Sequence, residues 1–208
     1  MTRTLDDIAE LAADLIAIDS TNPDLVPGGA GEGNIAAFVA DWLREAGLDV
    51  MVHDLGPNRA NVVGILPGSG GGQSLMLNAH MDVVGAGGMA DPWAPRRVGN
   101  RLYGRGSFDM KASLAVIMLV AREAASWGLR GDLLVTAVAD EEFASIGTQD
   151  IVRHYRADAA IVTEPTGLEL CVAHKGFVWI EVETSGVAAH GSRPDDGVDA
   201  IAMMGPIL

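Results

Sequence analysis

The sequence predicts an α/β fold with three layers, in which helices cover both faces of a mostly parallel, mixed sheet. Short apolar runs that fit strands alternate along the chain with longer amphipathic stretches that fit helices. Glycine and proline clusters separate many of these segments. A histidine or acidic residues end or directly follow three of the apolar runs, and in α/β sheets the carboxyl ends of the strands form the binding site.

The first half of the chain is predicted to contain two helices and then three strands. Thr4 and Asp7 fit an N-terminal cap, and apolar residues at helical spacing follow as far as Ile18. A second helix is expected from about 34 to 46, where Gly47 ends it. Three segments with strand-like composition follow, at 48–54, 60–66 and 75–79.

Two glycine-rich loops interrupt this half. The loop at 28–33 lacks the G-x-G-x-x-G spacing and the preceding strand of a dinucleotide site, so we interpret it as a flexible rim. The loop at 67–72 is not followed by Gly-Lys-Ser/Thr, which excludes a phosphate-binding P-loop. We interpret it as a hairpin loop that joins the second strand to the third.

The second half is predicted to alternate helices with strands. A dense apolar pattern indicates a mostly buried helix from Asp109 to about Ser126. Beyond it we expect a buried strand, a helix, a second strand and a half-exposed strand with strict alternation, at 132–139, 147–155, 159–163 and 177–184.

Composition excludes several classes of protein. The chain has 208 residues, 49% hydrophobic and 20% charged, which is typical of a globular domain. The formal net charge of −14 argues against binding to nucleic acid or to an anionic membrane surface. Cys171 is the single cysteine, so a disulfide framework and a thiolate zinc site are excluded. The acidic start of the chain and the lack of an apolar run of ~20 residues lead us to expect the cytoplasm.

A histidine and an aspartate lie two residues apart at the end of the third strand. Residues two apart in a strand share a face, so His80 and Asp82 are expected side by side. An imidazole that binds a metal through one nitrogen usually donates its other N–H to a carboxylate or a carbonyl. The pair therefore predicts a metal ligand with an orienting partner, although such a pair on its own is more often a satisfied surface contact.

Carboxylates recur at the ends of other predicted elements. Asp109 is placed at a helix N-terminus, where the helix dipole favours an ionised carboxylate, and a simple N-cap is the alternative. Glu141 and Glu142 follow Asp140 after a buried strand, where adjacent carboxylates repel one another unless solvent or a cation stabilises them. If strand geometry persisted, these two glutamates would face opposite sides and differ in role. Glu164 follows the next strand.

Together these motifs resemble those of the M20-type dinuclear zinc peptidases and amidohydrolases. This family includes acetylornithine deacetylases, succinyl-diaminopimelate desuccinylases, aminoacylase-1 and glutamate carboxypeptidases, and the resemblance covers nearly the whole chain. The motifs that carry it are His80-x-Asp82, Gly104-Arg105-Gly106 with Asp109-Met110-Lys111, Asp140-Glu141-Glu142, Glu164-Pro165 and His190-Gly191-Ser192 with Pro194 and Gly197. The departures are Lys111-Ala112-Ser113, where Lys-Gly-Gly is usual, and Phe143-Ala144-Ser145, where a glycine is usual.

The resemblance implies two domains. Residues 1–176 would form the metal-binding catalytic domain, and residues 177–208 would begin an α+β lid and dimerisation domain. Chains of the family are about twice as long and carry a further ligand histidine near the C-terminus. We therefore interpret the sequence as a truncated product and expect the chain as written to be inactive and to self-associate.

The resemblance also implies a pair of metal ions. Asp109 would bridge two Zn²⁺ ions, His80 and Glu164 would complete one, and Glu142 would belong to the other. Oxygen and imidazole ligands without sulfur suit Zn²⁺, although Co²⁺ or Mn²⁺ would also be held.

Three further residues acquire catalytic roles by the same resemblance. Glu141 would be the general base that takes a proton from the attacking water. Asp82 would orient His80. His190 would polarise the substrate carbonyl, often in the partner subunit of a homodimer.

The expected substrate is a small molecule, an N-acyl amino acid. A dipeptidase or carboxypeptidase of the same family, or a non-catalytic remnant that only binds metal or partners, is the alternative. A serine hydrolase is disfavoured because the sequence has no G-x-S-x-G elbow, and His53, His154 and His174 lack a serine in such a context. We interpret these three histidines as surface residues or as neighbours of the metal ligands.

Overall fold

The computed structural model describes residues 5–176, 178 and 180–207. They divide into two compact units, one up to residue 168 and one from residue 169, shortly before the domain boundary expected at 176. Elements of the first unit are α1 Leu5–Ala17, α2 Gly33–Glu45, β1 Asp49–Gly56, β2 Arg59–Leu66, β3 Leu75–His80, β4 Arg96–Val98, β5 Arg101–Tyr103, α3 Lys111–Ala124, β6 Leu133–Val138, α4 Ile146–His154 and β7 Ala159–Val162. The second unit contains a 3-10 helix, Pro194–Asp196, and α5 Ala200–Met204.

Five strands form one mixed sheet in the order β1-β2-β6-β3-β7, while β4 and β5 form a separate ribbon. β2 pairs antiparallel with β1 and β6, and β3 pairs parallel with β6 and β7. Parallel strands that follow one another in the chain need a crossover connection. The crossover from β3 to β6 contains α3, and the crossover from β6 to β7 contains α4. The predicted α/β class with a mixed sheet is confirmed, with two parallel and two antiparallel pairings in the described sheet.

The predicted hairpin between the second and third strands is wrong, because β6 lies between them. Val62 of β2 and Ala79 of β3 both pair with Ala137 of β6, from opposite sides. The hairpin of this region instead joins β1 to β2 through Pro57 and Asn58. A glycine-rich loop carries no signal that a strand from later in the chain inserts beside it.

Helices on both faces of the sheet make three layers. On one face α1, α2 and α3 enclose the larger apolar cluster, to which β2 contributes Val62. On the other face Ile151 of α4 packs against Val63 and Val138. Successive side chains of a strand point to opposite faces of the sheet, and both faces are covered here. Val62 and Val63 therefore belong to different clusters.

The glycine-rich loop at 28–33 is packed, so its interpretation as a flexible rim is wrong. Gly31 has a φ of +72°, and a Cβ placed there would lie 2.5 Å from the carbonyl oxygen of Asn58. The N–H of Gly33 donates to that same oxygen at 2.8 Å. Glu32, between the two glycines, is fully buried. Glycine at position 31 thus lets the loop approach the β1–β2 turn closely enough to bury a carboxylate.

The second unit carries little regular structure in its described residues. Val187 and Val198 form an isolated antiparallel bridge, and the Asp199 carboxylate caps α5. In neither unit does a described helix have the length and apolarity needed to cross a membrane.

The strand predicted at 177–184 is wrong for the part of that segment that the structure describes. Residues 178 and 180–184 are not in a strand, while Phe177 and Trp179 lie outside the described residues. Val178 and Ile180 are 82% and 79% exposed. A segment in which apolar and polar residues alternate forms a stable strand only where a neighbouring strand pairs with its backbone. No named strand of the described chain pairs with this segment.

Candidate metal centre

The carboxyl ends of three parallel strands meet at one edge of the sheet. His80, the last residue of β3, pairs with Val138 at the end of β6. Asn78 of β3 pairs with Val162, the last residue of β7. The residues that follow β6 and β7 therefore emerge beside His80, which explains why acids far apart in sequence gather there.

The imidazole of His80 is buried, and its two nitrogens have different neighbours. Nε2 lies 3.0 Å from Oδ1 of Asp109, 3.7 Å from Oε1 of Glu164 and 3.8 Å from Oε2 of Glu141. Nδ1 lies 2.9 Å from the carbonyl oxygen of Asp82 and 3.5 Å from its carboxylate. One nitrogen thus faces a group of carboxylates, while Asp82 holds the other.

Two sets of ligand atoms share His80. Those of His80, Asp109 and Glu142 all lie within 4.8 Å of one another, and so do those of His80, Glu141 and Glu164. Five of the seven predicted site residues are brought together in this way, and Asp82 lies directly behind them. We call the five converging residues the metal centre: His80, Asp109, Glu141, Glu142 and Glu164.

His190 belongs to the second unit and is described there by itself. Its Nδ1 lies 2.9 Å from the hydroxyl of Ser192, and the loop that carries both residues is exposed. Its catalytic role stays a prediction.

The charges of the metal centre fit a divalent cation. Burial lowers the pKa of His80, but hydrogen bonds with Asp109 and Asp82 outweigh burial and raise that pKa to about 11. Burial raises the pKa of Glu142 and of Glu164 to about 7. The charge of His80 lowers both pKa values, while the nearby carboxylates raise them further. Positive charge is therefore favoured at the point where the side chains converge, and the oxygen and imidazole donors suit Zn²⁺.

Asp109 reaches the metal centre from just before α3. The helix begins at Lys111 and its N-cap residue is Met110, so the alternative in which Asp109 is a simple N-cap is wrong. Its carboxylate contacts the imidazole of His80.

Glu141 and Glu142 lie in a turn, so the strand alternation that would have separated them does not apply. β6 ends at Val138, and Asp140 has a φ of 66°. The carboxylate of Asp82 accepts hydrogen bonds from the backbone N–H groups of Glu141, at 3.0 Å, and Glu142, at 3.1 Å. Asp82 therefore holds the glutamate turn as well as His80.

A buried polar network lies behind this turn. Arg59 donates from Nε to Oε2 of Glu32 at 2.8 Å and from Nη2 to Oδ1 of Asp140 at 2.8 Å. Asn22 donates from Nδ2 to Asp82 at 2.7 Å and to Asp140 at 3.0 Å. Because these contacts are continuous, the arginine is linked through Asp140 and Asn22 to the carboxylate that holds the glutamate turn. We call these five residues the buried network.

Sequence reasoning missed three members of the buried network. Asn22 precedes a proline just beyond the first predicted helix, and Glu32 lies in the loop interpreted as a rim. Arg59 opens β2, whose remaining residues are mostly apolar. An arginine next to an apolar strand was the available signal, since buried arginines are usually paired.

The contacts of Asp82 lead to a prediction about metal affinity. Replacing Asp82 with asparagine should weaken the tightest Zn²⁺ binding by about 10 to 100-fold, because an amide cannot accept all the N–H groups that the carboxylate accepts. Competition with a zinc-sensitive dye measures the Kd. Asp158→Asn is the matched control, since Asp158 also accepts a backbone N–H, that of Ser74 before β3. Unaltered affinity in Asp82→Asn would remove Asp82 from the support of the metal centre.

The part of the sequence that contains the metal centre matches a known peptidase family. The model of peptidase family M20/M25/M40 matches residues 76–201. Acetylornithine deacetylases from strains of Vibrio cholerae serotype O1 are 35% identical over 185 residues, which is 85% of this chain and 48% of theirs. The chain therefore spans about half the length of the curated relatives it matches.

Solved structures with the same fold are more distant in sequence. A tripeptidase from Staphylococcus aureus superposes with a TM-score of 0.68 at 18% identity, covering 97% of this chain and 55% of its own. Human carnosine dipeptidase 1 gives a TM-score of 0.65 at 19% identity, covering 88% of this chain and 40% of its own. At such identities these similarities establish the fold alone.

Proposed function

The chain belongs to peptidase family M20/M25/M40, and from that premise we propose that it carries the catalytic metal centre of a zinc-dependent hydrolase that cleaves the amide bond of an N-acyl amino acid. The observation that supports this most directly is the approach of three carboxylates to Nε2 of one buried histidine. A substrate amide is a poor electrophile, so its hydrolysis needs an activated water and a stabilised oxyanion.

The residues of the metal centre divide into ligands and a base. We assign His80, Asp109, Glu142 and Glu164 as ligands for two Zn²⁺ ions, with Co²⁺ or Mn²⁺ as substitutes. When bound, such ions supply a more acidic water and polarise the scissile carbonyl. His80 must release the proton on Nε2 for a metal to bind, while the Asp82 carbonyl accepts a hydrogen bond from protonated Nδ1 and so keeps the ring oriented.

Glu141 is the proposed general base. Its side chain is 41% exposed, so a water and a substrate can reach its carboxylate, and Oε2 remains within 3.8 Å of Nε2 of His80. In this assignment Glu141 takes a proton from the attacking water and delivers it to the nitrogen of the leaving amine. The N–H of Glu141, held by Asp82, limits how far the base can move from that position.

Two assignments depend on the family resemblance, the role of His190 and the homodimer. His190 is proposed to polarise the substrate carbonyl oxygen within a homodimer of the whole protein, in the partner subunit. The homodimer itself is a proposal, and so is a cytoplasmic location. We place no nucleic acid or membrane among the partners, since the formal net charge is −14.

The N-acyl amino acid class is supported by the acetylornithine deacetylases, at 35% identity. A dipeptide substrate is the alternative, because structures of the same fold include dipeptidases. Both substrates present an amide next to a carboxylate, so the metal centre alone does not separate them.

The test is hydrolysis by the whole protein of N-acetylated amino acids, N-acetylornithine among them, compared with a set of dipeptides. We expect release of acetate from N-acetyl substrates, loss of turnover on removal of metal by a chelator, and recovery when Zn²⁺ is restored. Turnover of dipeptides alone would overturn the substrate class. Absence of any metal-dependent amide hydrolysis would overturn the proposed function.

A further inference from the structure

A second cluster of metal-binding side chains lies where β1 meets α4, and it shares no residue with the metal centre. It consists of His53 on β1 and of Asp150 and His154 on α4, whose ligand atoms all lie within 4.8 Å of one another. Asp150 and His154 are one helical turn apart, so they share a face of α4. The proposed hydrolytic chemistry uses none of these three residues.

Both imidazoles present the same nitrogen to one carboxylate. Nδ1 of His53 lies 2.7 Å from Oδ2 of Asp150. Nδ1 of His154 lies 3.1 Å from Oδ1 of Asp150 and 3.0 Å from its backbone carbonyl oxygen. The carboxylate is thus bracketed by two nitrogens that each bind either a proton or a metal ion. The side chains of His53 and Asp150 are 20% and 18% exposed and that of His154 is 56% exposed, so an ion can enter from solvent.

Outer partners already orient two of the three side chains. Nε2 of His53 lies 2.9 Å from the hydroxyl of Tyr155, and Nδ2 of Asn61 donates to Oδ2 of Asp150 at 3.1 Å. Hydrogen bonds from neighbouring groups fix the orientation of a ligand and are typical of metal sites in proteins. Here the contact with Tyr155 orients the imidazole of His53 so that Nδ1 faces Asp150. Nδ1 is the nitrogen that would bind the metal.

We propose that His53, Asp150 and His154 form a second divalent-metal site that fastens α4 to the edge strand β1. Two imidazole nitrogens and a carboxylate oxygen make a three-ligand set that suits Zn²⁺, with water in the remaining position. The ion would lie between the Asp150 carboxylate and the two Nδ1 atoms that approach it. Since α4 follows the turn of Glu141 and Glu142, an ion here would stabilise the helix next to the metal centre without taking part in the reaction.

The test counts bound Zn²⁺ in the 208-residue chain and in two variants, His154→Gln and His174→Gln. His174 is an exposed histidine of the second unit, so His174→Gln makes the same chemical change outside the cluster. After saturation and removal of loosely bound ions, metal analysis should find about one Zn²⁺ fewer per chain in His154→Gln and no change in His174→Gln. Equal content in all three proteins would overturn the proposal.

A second measurement distinguishes a metal site from a cluster of side chains that is held by hydrogen bonds alone. Zn²⁺ should raise the Tm of the wild-type chain more than it raises the Tm of Asp150→Asn, which keeps the shape of the side chain but weakens it as a ligand. If Asp150→Asn lowers the Tm by the same amount in the presence of Zn²⁺ and in the presence of a chelator, the three residues are joined only by hydrogen bonds and the proposal fails. Because both comparisons are differences within one chain, they do not depend on whether the whole protein hydrolyses an amide.

Discussion

The Glu141→Gln variant of the whole protein is expected to lose turnover by about 10²–10⁴-fold while it keeps the metal content of the wild type. Glutamine has nearly the same shape as glutamate but cannot take a proton from water at neutral pH. The turn should persist, because the Asp82 carboxylate accepts the backbone N–H of residue 141 and not its side chain. Steady-state kinetics together with metal analysis of the same sample measure both effects.

Glu142→Gln is the matched comparison, since it makes the same substitution one residue later in the same turn. As a ligand, Glu142 should contribute to metal retention, so this variant is expected to lose metal and to lose turnover in consequence. Two outcomes contradict the assignment of roles. One is that Glu141→Gln retains most of its turnover, and the other is that the two variants lose metal to the same extent.

Replacing Arg59 with methionine is expected to lower the free energy of unfolding by about 3–5 kcal/mol. The guanidinium is only 7% exposed, and both Glu32 and Asp140 depend on it as a buried ionic partner. Methionine fills much of the volume but leaves the two carboxylates buried without that charge. Guanidinium chloride unfolding of the metal-free chain, followed by circular dichroism, gives the difference.

Arg44→Met is the control for this prediction. Arg44 pairs with Asp41 at 2.8 Å on the exposed surface of α2, where an ion pair contributes about 0–1 kcal/mol. If Arg59→Met and Arg44→Met destabilised the chain equally, the buried network would not support the fold as described. A loss of Zn²⁺ affinity in Arg59→Met under conditions where it remains folded would show in addition that the network positions the glutamate turn.

The positions of most of the site residues could be predicted because these residues end an apolar strand or follow one closely. His80 ends β3, and Glu141 and Glu164 follow β6 and β7 within a few residues. In an α/β sheet this placement brings them to one edge whatever the order of the strands. The α/β class could be predicted for the same reason, since helical and strand-like periodicities alternate along the chain.

The strand neighbours and the buried network could not be predicted, because both depend on contacts between distant parts of the chain. β6 inserts between β2 and β3, which no local pattern near residues 67–72 indicates. Arg59 and Asp140 are far apart in sequence and meet only once that insertion has occurred. The His53 cluster was missed similarly, since His53 and Asp150 belong to different elements and neither lies in a recognised motif.

Anomalous scattering at the zinc edge, from crystals of the wild-type chain equilibrated with Zn²⁺, tests the existence of the metal centre most directly. We expect a peak at about 2.0–2.2 Å from Nε2 of His80 and from a carboxylate oxygen of Asp109. Crystals of Asp109→Asn should show a weaker peak at that position or none. A saturated crystal with no anomalous density beside Nε2 of His80 would contradict the central claim that these carboxylates gather around His80 in order to bind metal.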